Sequence, residues 1–307
     1  MDLNKTGRTI ARLRKQAGLT QAGLAEKIGV SDKAVSKWER GIACPDVSIW
    51  NKLSILLDTD IESLIYGHDS KNEWKGVLFL DNSVPASTTI YNKPLIHYLL
   101  SQFFLAGISD ITIIGDCGPI SLPGVQITVA ESAVGLNRRF TGPAFFICGN
   151  SFLYGPNLTK HFKRAMSRTD GITIISTMKR KGLYPITVDT DRKAVFTNDI
   201  TVNQYFAEPF VFVPSNCEYS QDQSFYDVIN GARFNVETMV RGMASFDIST
   251  YEDAFRFSEY VKLTEDMTGE RIGCVEEILL RRGLATYDDI IKICDKDTAK
   301  YLEGLFL

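Results

Sequence analysis

The chain has 307 residues, of which 44% are hydrophobic, 23% charged and 11% aromatic. That balance excludes a disordered or low-complexity protein and suits a small domain followed by one of ordinary enzyme size. The formal charge of −3 hides an asymmetry, because residues 1–40 hold nine Lys or Arg against Asp2, Glu26, Asp32 and Glu39, a net of +5 that leaves −8 for the rest.

A basic head on an acidic body suits a chain that meets phosphates at one end and stays soluble at the other. The amino terminus is polar, and no apolar run approaches the roughly 18 residues of a membrane span, so a cytoplasmic protein without membrane contact is expected. Cys44, Cys117, Cys148, Cys217, Cys274 and Cys294 lie far apart without paired spacing, with only His68, His97 and His161 to join them. Reduced thiols are expected, with no metal site and no cofactor.

In chain order, Ile10, Leu13 and Ala17 recur at helical spacing between Thr6 and Ala17, and Gly18 stands where a helix ends. Thr20 can cap a second helix with Leu24, Ala25 and Ile28 on one face. Gly29 then permits a tight turn, and Ser31 can cap a third helix. In that third helix Ala34, Val35 and Trp38 point inward, while Lys33, Ser36, Lys37 and Arg40, three and four residues apart, form one polar stripe. A helix of this width fits the major groove of double-stranded DNA, where Lys and Arg reach guanine acceptors and Ser serves either donors or acceptors. Arg8, Arg12, Arg14, Lys15 and Gln21 are read as contacts to the DNA backbone.

The run from Leu19 to Val30, with Ser31, Val35, Ser36, Lys37, Trp38, Glu39, Arg40, Gly41 and Pro45, resembles helices two and three of the lambda-repressor-like, or XRE, family. The resemblance implies a five-helix DNA-binding domain over residues 1–67, completed by helices over 47–57 and 61–64. Two residues depart from the pattern. Gly23 costs helix two about 1 kcal/mol relative to Ala, and Asp32 replaces an amide, which leaves operator preference open.

Residues 68–75 read as a polar linker. Beyond it, Val77–Leu80, a helix over Lys93–Gly107 and Ile111–Ile114 make a βαβ unit. Further strands are expected at 125–129, 144–148, 172–176, 184–188, 210–213 and 234–239, followed by helix from Tyr251 onward. The fold class is therefore α plus α/β, with a mixed sheet over residues 76–307.

Several strings in collinear order resemble the sugar-1-phosphate nucleotidyltransferases, and their glucose-1-phosphate thymidylyltransferase branch most closely. They are Tyr91–Gly115 (YNKPLIHYLLSQFFLAGISDITIIG), Gly149–Gly155 (GNSFLYG), Arg241–Phe255 (RGMASFDISTYEDAF) and Glu270–Gly283 (ERIGCVEEILLRRG). The resemblance implies a Rossmann-like mixed-sheet domain. It does not imply activity, because the family cradles a triphosphate in a glycine-rich loop with Arg and Lys, whereas Leu80–Asn92 (LDNSVPASTTIYN) has no Gly, Lys or Arg. The family also offers an Asp before Asn150, where this chain has Gly149, so only Asp247 remains of the metal-binding carboxylates. No catalytic residue is therefore assigned.

Binding without turnover is the expectation that remains. By resemblance, Gly135, Asn150 and Asp247 line the substrate site, and Tyr154, Arg241 and Arg271 line a second, regulatory site. Gly135 also reads as an ordinary turn glycine, and Asp247 as a loop residue near the helix that starts at Tyr251. The leading reading is a transcriptional regulator with a nucleotide-sugar or sugar-phosphate effector and a homodimer or tetramer held by residues 76–307. The alternatives are a purely structural second domain and an active nucleotidyltransferase.

Overall fold

The computed structural model describes residues 3–57, 64, 74–81, 83–130, 142–178, 184–189, 191, 193–197, 205–215 and 233–306. The chain divides into two compact units, Met1–Asn72 and Glu73–Leu307.

The first unit contains helices α1 (Leu3–Gln16), α2 (Gln21–Ile28), α3 (Asp32–Glu39) and α4 (Val47–Leu56). Its caps follow from local chemistry. Thr20 Oγ1 accepts from Gly23 N at the start of α2, and Ser31 Oγ accepts from Ala34 N at the start of α3. Gly29 closes α2 in the left-handed region, at φ 77°. Ile10, Leu24, Ile28, Val35, Trp38, Trp50 and Leu53 share one buried cluster. A Cβ on Gly7 would lie 2.2 Å from Trp38 O and 2.9 Å from Glu39 O, so α1 can cross the end of α3 this closely only at glycine. Of the expected fifth helix, residues 61–63 lie outside the described residues.

In the second unit a nine-stranded mixed sheet has the order β5-β4-β1-β6-β11-β8-β12-β10-β9. Its strands are β1 (Lys75–Phe79), β4 (Asp110–Ile114), β5 (Gln126–Ala130), β6 (Ala144–Cys148), β8 (Thr173–Met178), β9 (Tyr184–Val188), β10 (Lys193–Phe196), β11 (Tyr205–Val213) and β12 (Phe234–Thr238). Two ribbons stand apart from it, β2 (Thr89–Ile90) with β3 (Lys93–Pro94) and β7 (Ser151–Tyr154) with β13 (Ala244–Asp247). Adjacent residues of β1 serve opposite faces, Leu78 in the larger core cluster and Val77 in the smaller.

Helix α5 (Leu95–Leu105) is buried nearly all round, and its Phe103 packs where a Cβ on Gly76 of β1 would come within 2.7 Å of the ring. Across the sheet Phe145 and Phe212 stack at 4.2 Å between ring centroids. Among the described residues four helices follow: α6 (Leu158–Ser167), α7 (Tyr251–Thr268), α8 (Val275–Arg281) and α9 (Tyr287–Ile291). A fifth, α10 (Lys296–Phe306), ends the described chain.

The topology places a crevice. Strands β4, β1 and β6 run parallel, the chain moves from β1 to β4 and β5 on one side, and it then returns to β6 on the other side of β1. In sheets of this kind ligands enter where the order reverses, outside the carboxyl ends of the strands. Here that point lies between β1 and β6.

Candidate DNA interface and ligand crevice

Helix α3 presents Lys33 and Lys37 exposed and Ser36 half-buried, and Arg40 follows as its exposed carboxyl-terminal cap, with Nε donating to Ser36 O at 3.3 Å. The stripe expected from spacing is therefore a continuous polar face.

Gln21 opens α2 beside it, but its Nε2 donates to Glu39 Oε2 at 2.6 Å. Arg14 corrects an expectation, since it is only 8% exposed and is not available to phosphate. Its Nε donates to Glu39 Oε1 at 2.5 Å, Nη2 to Glu39 Oε2 at 3.1 Å and Nη1 to Leu19 O at 2.6 Å. Glu39 holds the guanidinium above its ordinary pKa, chiefly through the hydrogen bond. One carboxylate thus joins α1, α2 and the end of α3, a role that reading α3 alone does not reveal.

At the crevice three loops converge on Asn150, which is 0% exposed. Its Nδ2 donates to Val84 O at 2.9 Å and to Ile248 O at 3.4 Å, and its backbone O accepts from Ile248 N at 3.0 Å. The loop after β1, the β6–β7 connection and the segment after β13 are tied together by this side chain. Asp247 is exposed at the end of β13, opposite Ser151, and its Oδ1 accepts from Ser249 Oγ at 2.6 Å.

Asp81, just beyond β1, was not among the expected site residues. Its Oδ1 accepts from Ser83 N at 2.9 Å and from Ser83 Oγ at 2.6 Å. Its other oxygen, Oδ2, lies 3.5 Å from where a Cβ on Gly149 would stand. The residues do not fit a centre in which carboxylates at 149 and 247 share a divalent metal: position 149 is glycine, and the carboxylate beside it, Asp81, is engaged by Ser83. Among the described residues no group of three His, Cys, Asp or Glu is placed to hold a metal ion.

The remaining expected residues sit on different elements. Tyr154 lies at the far end of the β7–β13 ribbon, paired in register with Ala244 and edge-on to Tyr260 at 6.0 Å. Burial pushes its hydroxyl pKa up. Arg241 is exposed in the turn before β13. Arg271 follows α7, with Nη1 donating to Thr298 Oγ1 at 2.7 Å and its guanidinium 5.0 Å from the Tyr301 ring centroid. It lines an open groove of about 1090 Å³ with Tyr91, Lys296 and Lys300. Gly135 lies outside the described residues.

Comparison with known proteins gives matches for both parts. Residues 10–64 match the helix-turn-helix family. The chain is 25% identical over 240 residues to the glucose-1-phosphate thymidylyltransferase of Mycolicibacterium smegmatis, covering 66% of this chain and 83% of that protein. It is 24% identical over 255 residues to the enzyme of the same name from Neisseria gonorrhoeae, covering 70% of this chain and 86% of that protein. A solved Bacillus anthracis structure described as a glucose-1-phosphate thymidylyltransferase in complex with sucrose aligns with a TM-score of 0.47 at 11% identity, over 61% of this chain and 94% of that one. The amino-terminal segment is a helix-turn-helix domain, and the region beyond it is similar in sequence to thymidylyltransferases.

Proposed function

We propose that this chain is a sequence-specific, DNA-binding transcriptional regulator whose second domain senses a nucleotide sugar or related sugar phosphate without converting it. The observation that carries the reading is the exposed stripe of Lys33, Ser36, Lys37 and Arg40 on a helix locked to its own domain through Glu39. The absence of turnover is supported by Asp81 and Gly149 at the two positions where the related enzymes need a phosphate-binding loop and a metal ligand. Asn150 and Asp247 remain as ligand-binding candidates at the crevice, with Tyr154, Arg241 and Arg271 as candidates for an effector's phosphates. Exposed Tyr251, Phe255, Leu263 and Met267 along α7 offer apolar surface for subunit contact, consistent with a homodimer or tetramer.

A sensor needs only a ligand that binds two states of the protein unequally, and linkage makes the effect reciprocal. The test measures the full chain on its own promoter DNA. Lys37→Ala with Arg40→Ala should weaken binding by about 1–3 kcal/mol per specific base contact, with melting unchanged. Calorimetry with thymidine and uridine diphosphate sugars, repeated with DNA present, should show the same factor in both directions. Absence of DNA binding at low salt refutes the regulator. Heatless titration with every sugar nucleotide leaves a purely structural second domain.

A further inference from the structure

We propose that Asp81 is a specificity-determining residue of the crevice, keeping polyphosphate off its floor and making that floor a surface for uncharged sugar hydroxyls. The argument starts from position. Asp81 follows β1 on the side facing β6, where the strand order reverses and a ligand enters. In parallel α/β sheets this is also where anions are ordinarily received, by backbone amides of a glycine-rich turn. Here the turn begins with a carboxylate, and both Ser83 N and Ser83 Oγ donate to Asp81 Oδ1. The protein's own carboxylate has taken two donors that could otherwise meet a phosphate.

The neighbouring groups reinforce this. Asp81 Oδ2 lies 3.5 Å from the Cβ position of Gly149, so it projects over the β6–β7 connection, and Asn150 beneath commits its amide nitrogen to Val84 O and Ile248 O. Asn150 Oδ1 is buried without a hydrogen-bond partner among the described residues, so this side chain offers the crevice no free donor. Asp247 adds a second carboxylate across Asn150. Among the described residues of these three loops the charged groups are Asp81 and Asp247, both acidic. Acceptors of this kind suit hydroxyl donors and repel phosphoryl oxygens. For the effector of the proposed function, on which only the identity of the ligand rests, its sugar hydroxyls face this floor and any phosphate lies away from Asp81.

The experiment compares the full chain with Asp81→Asn and Asp81→Ser. Asn keeps the shape and can still accept from Ser83, and Ser provides a second variant should Asn disturb the loop. Inorganic pyrophosphate, with and without Mg²⁺, is titrated by calorimetry, and glucose serves as the uncharged control. Pyrophosphate should bind at least about tenfold more tightly to a variant than to the parent, while glucose gains nothing. Equal pyrophosphate affinity for parent and variants, or no binding to any of them, overturns the role of Asp81. A gain in pyrophosphate affinity with no nucleotide sugar bound by any form would instead refute the sensor reading and leave the role of Asp81 standing.

Discussion

Replacing Glu39 by Ala removes three hydrogen bonds at once, to Arg14 Nε at 2.5 Å, Arg14 Nη2 at 3.1 Å and Gln21 Nε2 at 2.6 Å. It also strands a charge, because the Arg14 side chain is 9% exposed and keeps, among the described residues, the hydrogen bond to Leu19 O. Breaking a buried pair from one side costs about 3–5 kcal/mol, whereas replacing both partners with apolar side chains is often neutral. A small domain holds about 5–15 kcal/mol in total, so Glu39→Ala should remove a large part of what keeps the helix-turn-helix folded. Urea unfolding followed by tryptophan emission reads this directly, since Trp38 and Trp50 are both buried in that unit. Trp74 belongs to the other unit and is removed by Trp74→Phe. With a slope of about 1 kcal/mol per molar urea, the midpoint should fall by about 3 M, and Arg14→Met with Glu39→Leu should recover most of it. A shift under about 1 M, or a double variant no better than Glu39→Ala, refutes the clamp.

Two further outcomes follow from the second domain. Burial pushes the His97 pKa down, against Glu276, which raises it, and with Lys93, which lowers it. The unfolded chain therefore takes up a proton near pH 6.5 while the folded one does so only at lower pH, so stability should fall as pH drops below about 6.5. His97→Gln should flatten that slope in melts from pH 8 to 5, and an unchanged slope would remove His97 as the cause. At the crevice, Gly149 sits at φ 72°, a conformation that Asn and Asp tolerate better than most residues. Gly149→Asp should be less stable than Gly149→Asn by about 1 kcal/mol through repulsion from Asp81, and Asp81→Asn should erase the difference. Equal melting of the two would show that Asp81 does not sense position 149.

The parts of this molecule that local chemistry dictates are visible in the chain itself. Thr20, Gly29 and Ser31 announce the ends of α2 and α3 because a cap needs only its neighbours, and the apolar runs of β1, β4 and β6 are legible because buried parallel strands are apolar throughout. The strands of the β7–β13 ribbon are not legible, since each is short and exists only through pairing with a segment remote in sequence. The same holds for the site. The stripe on α3 follows from helical spacing, but Arg14 reads as one more surface cation until the fold brings Glu39 to it. Asp81 reads as a loop acid until β1 and β6 lie side by side and set it against Gly149. Pattern reports what a residue does to its own helix or strand, and it is silent where two distant segments meet.

The close crossing at Gly7 has a consequence for how such a protein can change its DNA target. With Trp38 O and Glu39 O so close to a residue that has no side chain, any side chain at position 7 would force α3 away from α1. Positions 33, 36, 37 and 40 are therefore interchangeable type in a fixed frame. Under the proposed function, new operator sequences are reached by substituting letters at those positions one at a time.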